Sequence, residues 1–467
     1  MNVYDFVVIG SGPAGRRAAI QAAKLGKKVL VIEKGTRVGG VSVHTGTIPS
    51  KTLRETALNL TGWRERGFYG RSYRVKQEIS ADDLRRRLLI TLDHEVDVLE
   101  HQFARNRVSQ LRGHARFIDK NTIEVMKDDG ELIRVHADSV LLAVGTRPFR
   151  PAHIPFDGDK IIDSDEILEI KEVPRSMVVI GAGVIGIEYA TIFSALDTAV
   201  TVIEPRDTML DFLDKEIVED FAYQLRDRNM KLVFGQTVEK VEKEPSGKCR
   251  VTLQNGRSMI AEMVLFAAGR VGATDSLDLA ACGLEADNRG RIKVDPETFQ
   301  TAVPGIYAAG DVVGFPSLAS TSMEQGRIAA RHAVGAPAHE PPQYFPYGIY
   351  AVPEISTCGL TEEEVQQRGI PYECGVAHFR ETSRGHIMGL DSGLLKMIFS
   401  LKTRRLLGVH IVGEGATELV HIGQAVLNLK GTVEYFVENT FNYPTLAEAY
   451  KIAGLDAWNR MGELKGA

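Results

Sequence analysis

The sequence predicts an α/β chain of two doubly wound units, the second inserted in the first, followed by a C-terminal α+β domain. Two repeated segments and one change of pattern predict it. Val7-Val8-Ile9-Gly10-Ser11-Gly12-Pro13-Ala14-Gly15 is echoed by Val178-Val179-Ile180-Gly181-Ala182-Gly183-Val184-Ile185-Gly186. Each copy reads as an apolar strand, Gly-x-Gly-x-x-Gly, then a helix. Each is followed by a second apolar strand ending in an acid, 23 residues past the first glycine: Gly10 to Glu33 and Gly181 to Glu204. Beyond the proline-rich stretch Pro337 to Pro346 the motif does not recur.

In chain order, Phe6 to Ile9 opens the first unit, Val29 to Glu33 is its second strand, and Ser139 to Gly145 closes it. Arg147-Pro148-Phe149-Arg150-Pro151 reads as a linker. The second unit runs from Val178 through Glu204 to the short strand Met263 to Gly269, and a return segment ends in Gly305-Ile306-Tyr307-Ala308-Ala309-Gly310-Asp311. Leu394 to Phe399 and Leu406 to Val412 are strands of the last domain. Domain limits follow at 1–148 and 269–340 for the first unit, 149–268 for the inserted one, and 341–467 for the C-terminal domain.

Length and composition agree. At 467 residues the chain is too long for one ordinary core, and the length prior suggests about three domains. With 44% hydrophobic and 25% charged residues it has a soluble globular composition. A formal charge of −5, without long runs of one sign, argues against nucleic acid or an anionic membrane as the main partner. The longest apolar stretch, Met177 to Ile187, holds three glycines and falls short of the roughly 20 residues a membrane span needs. Four cysteines, Cys249, Cys282, Cys358 and Cys374, form no Cys-x-x-Cys and no metal-ligand spacing. With an N-terminus that enters a strand almost directly, this suggests a reduced, cytoplasmic protein and no metal site.

The glycines predict chemistry. In such a Rossmann-like turn the first permits the tight turn, the second lets backbone approach a pyrophosphate, and the third lets helix pack on strand. The helix N-terminus then offers free N–H groups and a positive dipole end to the phosphates. Glu33 and Glu204 stand where a carboxylate accepts hydrogen bonds from ribose hydroxyls. Arg206, two residues past Glu204, is placed to pair a 2′-phosphate. Glu204 favours NAD and Arg206 favours NADP, so the pair is compatible with both.

Two such units, with Gly39-Gly40 before Gly46-Thr47-Ile48-Pro49-Ser50-Lys51, with Ala309-Gly310-Asp311, and with Phe441-Asn442-Tyr443-Pro444-Thr445 and Glu448, resemble the FAD/NAD(P) disulfide-reductase family over essentially the whole chain. That family includes lipoamide dehydrogenase and glutathione reductase. The resemblance implies FAD in the N-terminal unit, touched by Gly10, Gly12, Gly15, Glu33, Gly40, Ser42 and Lys51, with Asp311 on the ribityl chain and Gly145, Ala115 and Ala319 lining the rest. It implies a nicotinamide nucleotide on Gly181, Gly183, Gly186, Glu188, Glu204 and Arg206, with Gly269 nearby. Lys51 and Glu188 become the catalytic pair, an ammonium at the flavin N5 edge and its carboxylate partner, since fixed positive charge stabilises a reduced, anionic flavin. A homodimer through the C-terminal domain is implied as well, with Tyr443 and Glu448 reaching the neighbour's site.

The chain also departs from the family. Disulfide-reducing members carry two cysteines where this sequence has Ser42 and Thr47, neither of which can form a disulfide. They carry His-Pro where this sequence has Tyr443-Pro444, and a tyrosine of pKa about 10 is a poor base near neutrality. Gly46 to Lys51 with His44, together with Thr440 to Thr445, resemble members of the family that lack the cysteine pair, and that resemblance implies a reaction without a thiol: hydride leaves NADPH for FAD and is delivered to NAD(+) in a ping-pong scheme, both nucleotides acting as substrates. An NAD(P)H-dependent quinone or dye reductase is the alternative, with the space beside Ser42 and Thr47 open to an external acceptor. A non-catalytic nucleotide sensor is a third reading, against which Lys51 and Glu188 speak. His44 reads as a histidine satisfied by backbone.

Overall fold

The computed structural model describes residues 2–463. The chain packs as two compact units. One takes the chain up to Thr52, Arg85–Arg150 and Gly269–Pro342; the other takes Leu53–Leu84, Pro151–Ala268 and Gln343 onward. The nucleotide-motif segment 151–268 and the C-terminal segment thus share a unit, and the chain also changes unit at 52/53 and 84/85.

In the first unit, Asn2–Ile9 lies between Val29–Glu33 and Leu132–Leu142, parallel to both. Ser109–Arg112 extends the sheet beyond Val29–Glu33, and Ile306–Ala308 runs parallel to the end of Leu132–Leu142. Thr122–Met126 and His114–Phe117 add antiparallel strands to the other edge. Phe6, Val7, Val8 and Ile9 are all buried, as expected for an inner strand of a parallel sheet covered on both faces, whose sequence runs apolar without alternation. Helix Pro13–Lys24 buries mainly small residues, Ala14, Gly15, Ala18, Ala19 and Ala22. Their size lets helix Ala319–Ala333 approach backbone to backbone: a Cβ at Gly326 would lie 2.1 Å from the Ala14 carbonyl oxygen.

The segment read as a linker is partly structured. Thr146–Pro148 pairs antiparallel with Arg270–Gly272 in a two-stranded ribbon. Pro148 lacks an N–H, which a ribbon without further strands tolerates.

In the second unit, Lys231–Phe234, Ala199–Glu204, Ser176–Ile180, Met263–Phe266 and Ile161–Asp163 form an all-parallel sheet. An antiparallel meander, Val238–Lys243, Cys249–Leu253 and Ser258–Ala261, follows within the same segment. The C-terminal segment is an antiparallel sheet in the order Tyr347–Ile349, Ile355–Gly359, Leu406–Val412, Leu394–Ser400, Tyr372–His378. Helix Glu448–Glu463 packs on it closely enough that a Cβ at Gly375 would meet the Ala453 carbonyl oxygen at 1.9 Å. Among the described residues, no helix is long and apolar enough to cross a membrane.

Candidate functional site

The three glycines of each motif do three different things. Gly10 has φ 101° and Gly181 φ 105°, the left-handed region that side chains avoid. Both sit hard against a neighbouring strand end: a Cβ would lie 2.4 Å from the Ala143 carbonyl oxygen at Gly10 and 2.8 Å from that of Ala267 at Gly181. At Gly15 and Gly186 it would meet the carbonyl oxygens of Gly10 and Gly181 at 1.9 and 2.0 Å, so only glycine lets helix follow strand. At Gly12 and Gly183, by contrast, nothing lies within 4 Å of the added atom. The middle glycine of each motif faces open space. It is also the N-cap of its helix, Pro13–Lys24 or Val184–Ala195, and neither helix has a side-chain cap. Each turn therefore presents uncapped N–H groups to a cradle a side chain would fill, which suits a phosphate.

Each acid is tied to its turn. In the first unit, Ser11 donates its backbone N–H to Glu33 Oε2 at 2.9 Å and its hydroxyl to the same oxygen at 2.5 Å. Gly39 N–H donates to Ser11 Oγ at 2.9 Å, and Gly35 N–H to Glu33 Oε1 at 2.8 Å. In the second unit, Ala182 N–H donates to Glu204 Oε2 at 2.7 Å, while Arg206 Nε donates to Glu204 Oε1 at 2.8 Å. Glu204 is 4% exposed. Burial disfavours its charge, but Arg206 and the Ala182 N–H outweigh this and hold the carboxyl below the ordinary glutamate range.

Gly40 backs the first turn, since a Cβ there would lie 2.9 Å from Gly12 Cα. It opens the short helix Gly40–His44, in which the Ser42 hydroxyl donates to the Gly39 carbonyl at 3.1 Å. His44 Nε2 lies 3.0 Å from the Val38 carbonyl, the backbone contact expected of it. Lys51 stands on the helix Thr47–Leu60 with Nζ 3.2 Å from Ser50 Oγ. Asp311 follows Gly310; burial pushes its carboxyl up, opposed by Arg270 and the Thr146 hydroxyl. Arg270 is itself held by Thr146 Oγ1 at 2.9 Å and by the Thr146 carbonyl at 3.0 Å. Gly145 and Gly269 both have positive φ and open space above them. Ala115 lies on the strand His114–Phe117, and Ala319 begins a helix without a side-chain cap.

These residues divide between the units. Gly10, Gly12, Gly15, Glu33, Gly40, Ser42, Lys51, Ala115, Gly145, Gly269, Asp311 and Ala319 belong to the first; Gly181, Gly183, Gly186, Glu188, Glu204 and Arg206 belong to the second. Glu188 is 4% exposed, and its Oε1 accepts the Tyr350 N–H at 2.9 Å. Sequence reasoning passed over Ser11, Thr146, Arg270 and Tyr350. Only Ser11 carried a signal, standing between the first two glycines of its motif.

The cysteines lie far from these turns in sequence. Cys249, Cys282, Cys358 and Cys374 are free thiols. Burial pushes Cys249 up to about 11, and Cys358 and Cys374 up to about 12; it raises Cys282 too. None is a thiolate near neutrality. Among the described residues no group of His, Cys, Asp and Glu side chains could hold a metal ion. Tyr443 is 66% exposed, its hydroxyl 2.5 Å from Ser383 Oγ, whereas Glu448 Oε2 is buried without a hydrogen bond among the described residues.

Two uncapped glycine turns, each with a strand-end carboxylate bound to it, define the class: a chain with two dinucleotide-type turns, one on each of two sheets with parallel cores. It belongs to the pyridine nucleotide-disulphide oxidoreductase family, whose model matches residues 4–326 and whose dimerisation-domain model matches residues 345–453. The chain is 53% identical over 466 residues, 99% of each chain, to the soluble pyridine nucleotide transhydrogenase of Mycobacterium bovis (strain BCG / Pasteur 1173P2), and 42% identical to that of Colwellia psychrerythraea, with 98% of each covered. Among solved structures it resembles LpdA from Mycobacterium tuberculosis, with TM-score 0.89 and 25% identity over 97% of this chain and 99% of the other. It also resembles the flavoprotein disulfide reductase RclA from Escherichia coli, with TM-score 0.87, 25% identity and the same coverage.

Proposed function

We propose that the protein acts as a soluble pyridine nucleotide transhydrogenase, NADPH + NAD(+) ⇌ NADP(+) + NADH, in the cytoplasm and as a homodimer. The observation that carries this reading is the full-length likeness, at 53% identity over 99% of both chains, to relatives of that name. The match to the family's dimerisation domain at residues 345–453 supports the assembly.

FAD, held by the first unit, supplies a two-electron carrier that can accept hydride from one nucleotide and give it to another. Its pyrophosphate would lie over Gly12, with Gly10, Gly15 and Gly40 fixing the turn and Glu33 taking ribose hydroxyls. Asp311 would meet the ribityl chain, with Ser42, Gly145, Ala115 and Ala319 completing the site. NAD(H) and NADP(H) would bind in turn over Gly183, between Gly181 and Gly186, with Glu204 and Arg206 at the adenosine ribose and Gly269 nearby. Lys51 and Glu188 are the proposed catalytic pair, Lys51 supplying the positive charge that a reduced carrier requires. Ser42 and Thr47 offer no sulfur, and the cysteines present are protonated thiols, so the proposed electron path runs between nucleotides without a thiol relay.

Mixing the purified holoenzyme with NADPH and the thionicotinamide analogue of NAD(+) tests the proposal. Reduction of the analogue, read from its own absorbance, is expected. Failure to reduce it, alongside rapid quinone reduction by NADPH, would replace this reading with the quinone or dye reductase.

A further inference from the structure

Arg206 is shared. Its Nε and Nη2 face the two oxygens of Glu204 at 2.8 and 3.3 Å, while Nη1 pairs with Asp211 Oδ1 at 2.7 Å. Glu204 belongs to the end of a strand and is fixed by Ala182; Asp211 belongs to the segment that follows. That segment is bent by Leu210, a buried residue with φ 47°. A left-handed backbone is strained for a leucine and persists only where surroundings impose it. Here the Leu210 N–H donates to the Ala182 carbonyl at 3.3 Å, and the Leu213 N–H to the Leu210 carbonyl at 2.9 Å. Ala182, inside the glycine turn, is therefore bonded on one side to the acid and on the other to the bend that precedes Asp211.

We infer that Asp211 is a specificity-determining positioning residue, one that holds Arg206 away from the adenosine 2′ position and so sets the balance between nucleotides with and without a 2′-phosphate. The inference rests on the proposed nucleotide site over Gly183 and goes beyond it. With a free 2′-hydroxyl, Glu204 must accept the ribose hydrogen bonds, for which Arg206 gives up part of its contact with Glu204 and stays held by Asp211. With a 2′-phosphate, the guanidinium must turn to the phosphate, for which it has the matching forked geometry. Arg206 and Asp211 are each about half exposed, at 47% and 48% of the side chain, and exposed ion pairs are weak. A doubly charged phosphate can draw Arg206 from Asp211 at small cost. One site can thus serve both nucleotides in succession, which a permanently free arginine or a lone glutamate could not do.

The test uses the oxidised holoenzyme and two fragments that cannot transfer hydride, 5′-AMP and 2′,5′-ADP, titrated by calorimetry. Asp211→Asn is expected to tighten 2′,5′-ADP by about three- to fivefold while 5′-AMP changes by less than about twofold. Asp211→Glu keeps the wild-type ratio. Arg206→Gln weakens 2′,5′-ADP selectively, and in the Arg206→Gln background Asp211→Asn brings no further gain. An unchanged or weakened 2′,5′-ADP affinity in Asp211→Asn would overturn the inference, as would an equal gain without Arg206, since Asp211 would then act only as a diffuse charge. Neither fragment undergoes turnover, so these outcomes are independent of whether hydride reaches a second nucleotide.

Discussion

Ala182 donates its backbone N–H to Glu204 Oε2 at 2.7 Å, joining the turn after one strand to the acid at the end of the next. Ser11 and Glu33 repeat the relationship in the other unit at 2.9 Å. Twenty-two residues separate the partners each time, one fewer than glycine and acid, so the matching spacing in the sequence puts the residue after the first glycine in hydrogen-bond contact with the acid. The bond uses one lone pair of the carboxylate and orients the rest, which preorganises it for a ribose.

Glu204→Gln keeps the shape and removes the charge that Arg206 and Ala182 stabilise. The variant is expected to bind NAD(H) roughly tenfold more weakly, because charge-assisted hydrogen bonds are about twice as strong as neutral ones. NADP(H) should lose less, since Arg206 is released from its partner. Dissociation constants for the two nucleotides check this; equal losses for both would show that Glu204 does not read the ribose.

Gly12 and Gly15 separate ligand approach from packing. An alanine at Gly12, where φ is −62°, meets nothing within 4 Å, so Gly12→Ala should leave the apoprotein's melting midpoint within a degree or two while flavin content falls sharply. At Gly15 the added carbon would stand 1.9 Å from the Gly10 carbonyl oxygen. Gly15→Ala should lower the midpoint and the soluble yield, costing on the order of 1–3 kcal/mol or more. Flavin retained in Gly12→Ala would remove the phosphate from that turn.

Both glycine turns were legible because each combines a buried apolar strand, a glycine order that only close backbone approach requires, and an acid at fixed distance. The strands Leu394–Ser400 and Leu406–Val412 were legible for a similar reason, as apolar runs bounded by breaks. The meander was not: Val238–Lys243 alternates with charged residues, and one face is exposed. Arg147 to Pro151 reads as a linker because two prolines stand close together, while Arg270–Gly272, the partner of the strand Thr146–Pro148, lies more than a hundred residues away. Arg270 near Asp311 and Asp211 on Arg206 had no local signal, for such contacts are made by tertiary packing. The division at 52/53 and 84/85 was equally silent, because no glycine or proline marks a residue where a helix passes between units.

Thiol chemistry offers a direct check on the electron path. Cys249, Cys282 and Cys358 are buried, and all four thiols are held protonated. Arsenite, which needs a close dithiol, and brief maleimide treatment at pH 7 should leave nucleotide-to-nucleotide hydride transfer within about twofold of the untreated rate. Arsenite inhibition that appears only after reduction by NADPH would reveal a dithiol and overturn the thiol-free reading.

Lys51→Glu tests the proposed placement of its ammonium at the flavin. Reversing a fixed positive charge beside a group that becomes anionic removes its stabilisation and adds repulsion, so flavin bleaching by NADPH is expected to slow by at least about a hundredfold. Stopped-flow absorbance measures it, with nucleotide affinity followed separately. An unaffected rate would remove Lys51 from the chemistry.

Lys396 gives a stability prediction with two pH limbs. It is 1% exposed on the strand Leu394–Ser400, and its ammonium meets Asp214 at 3.0 Å, Glu216 at 2.8 Å and Glu362. Asp214 caps the helix Lys215–Asp227, so the cluster fastens the nucleotide-motif segment to the C-terminal sheet within one unit. Burial disfavours the Lys396 charge, but Glu216, Glu362 and Asp214 outweigh it and raise the pKa. Burial likewise opposes the Asp214 charge, while His410, Lys396 and the Glu362 N–H bring its pKa below the ordinary value; burial holds His410 itself neutral near pH 7, which leaves Lys396 as the charge that matters. Removing one member of a buried pair typically costs about 3–5 kcal/mol, so Lys396→Met should lower the unfolding midpoint strongly at pH 7. A raised lysine pKa contributes stability in full below 10.5 and loses it as pH rises further; a lowered aspartate pKa contributes above 3.8 and loses it as pH falls. His410 adds to the acid limb, because below 6.5 the unfolded chain binds its proton more readily than the folded one. The gap between wild type and Lys396→Met in urea midpoints should therefore be widest between about pH 5 and 9 and narrow beyond both ends. A gap independent of pH would mean that the side chain stabilises by packing and not by charge.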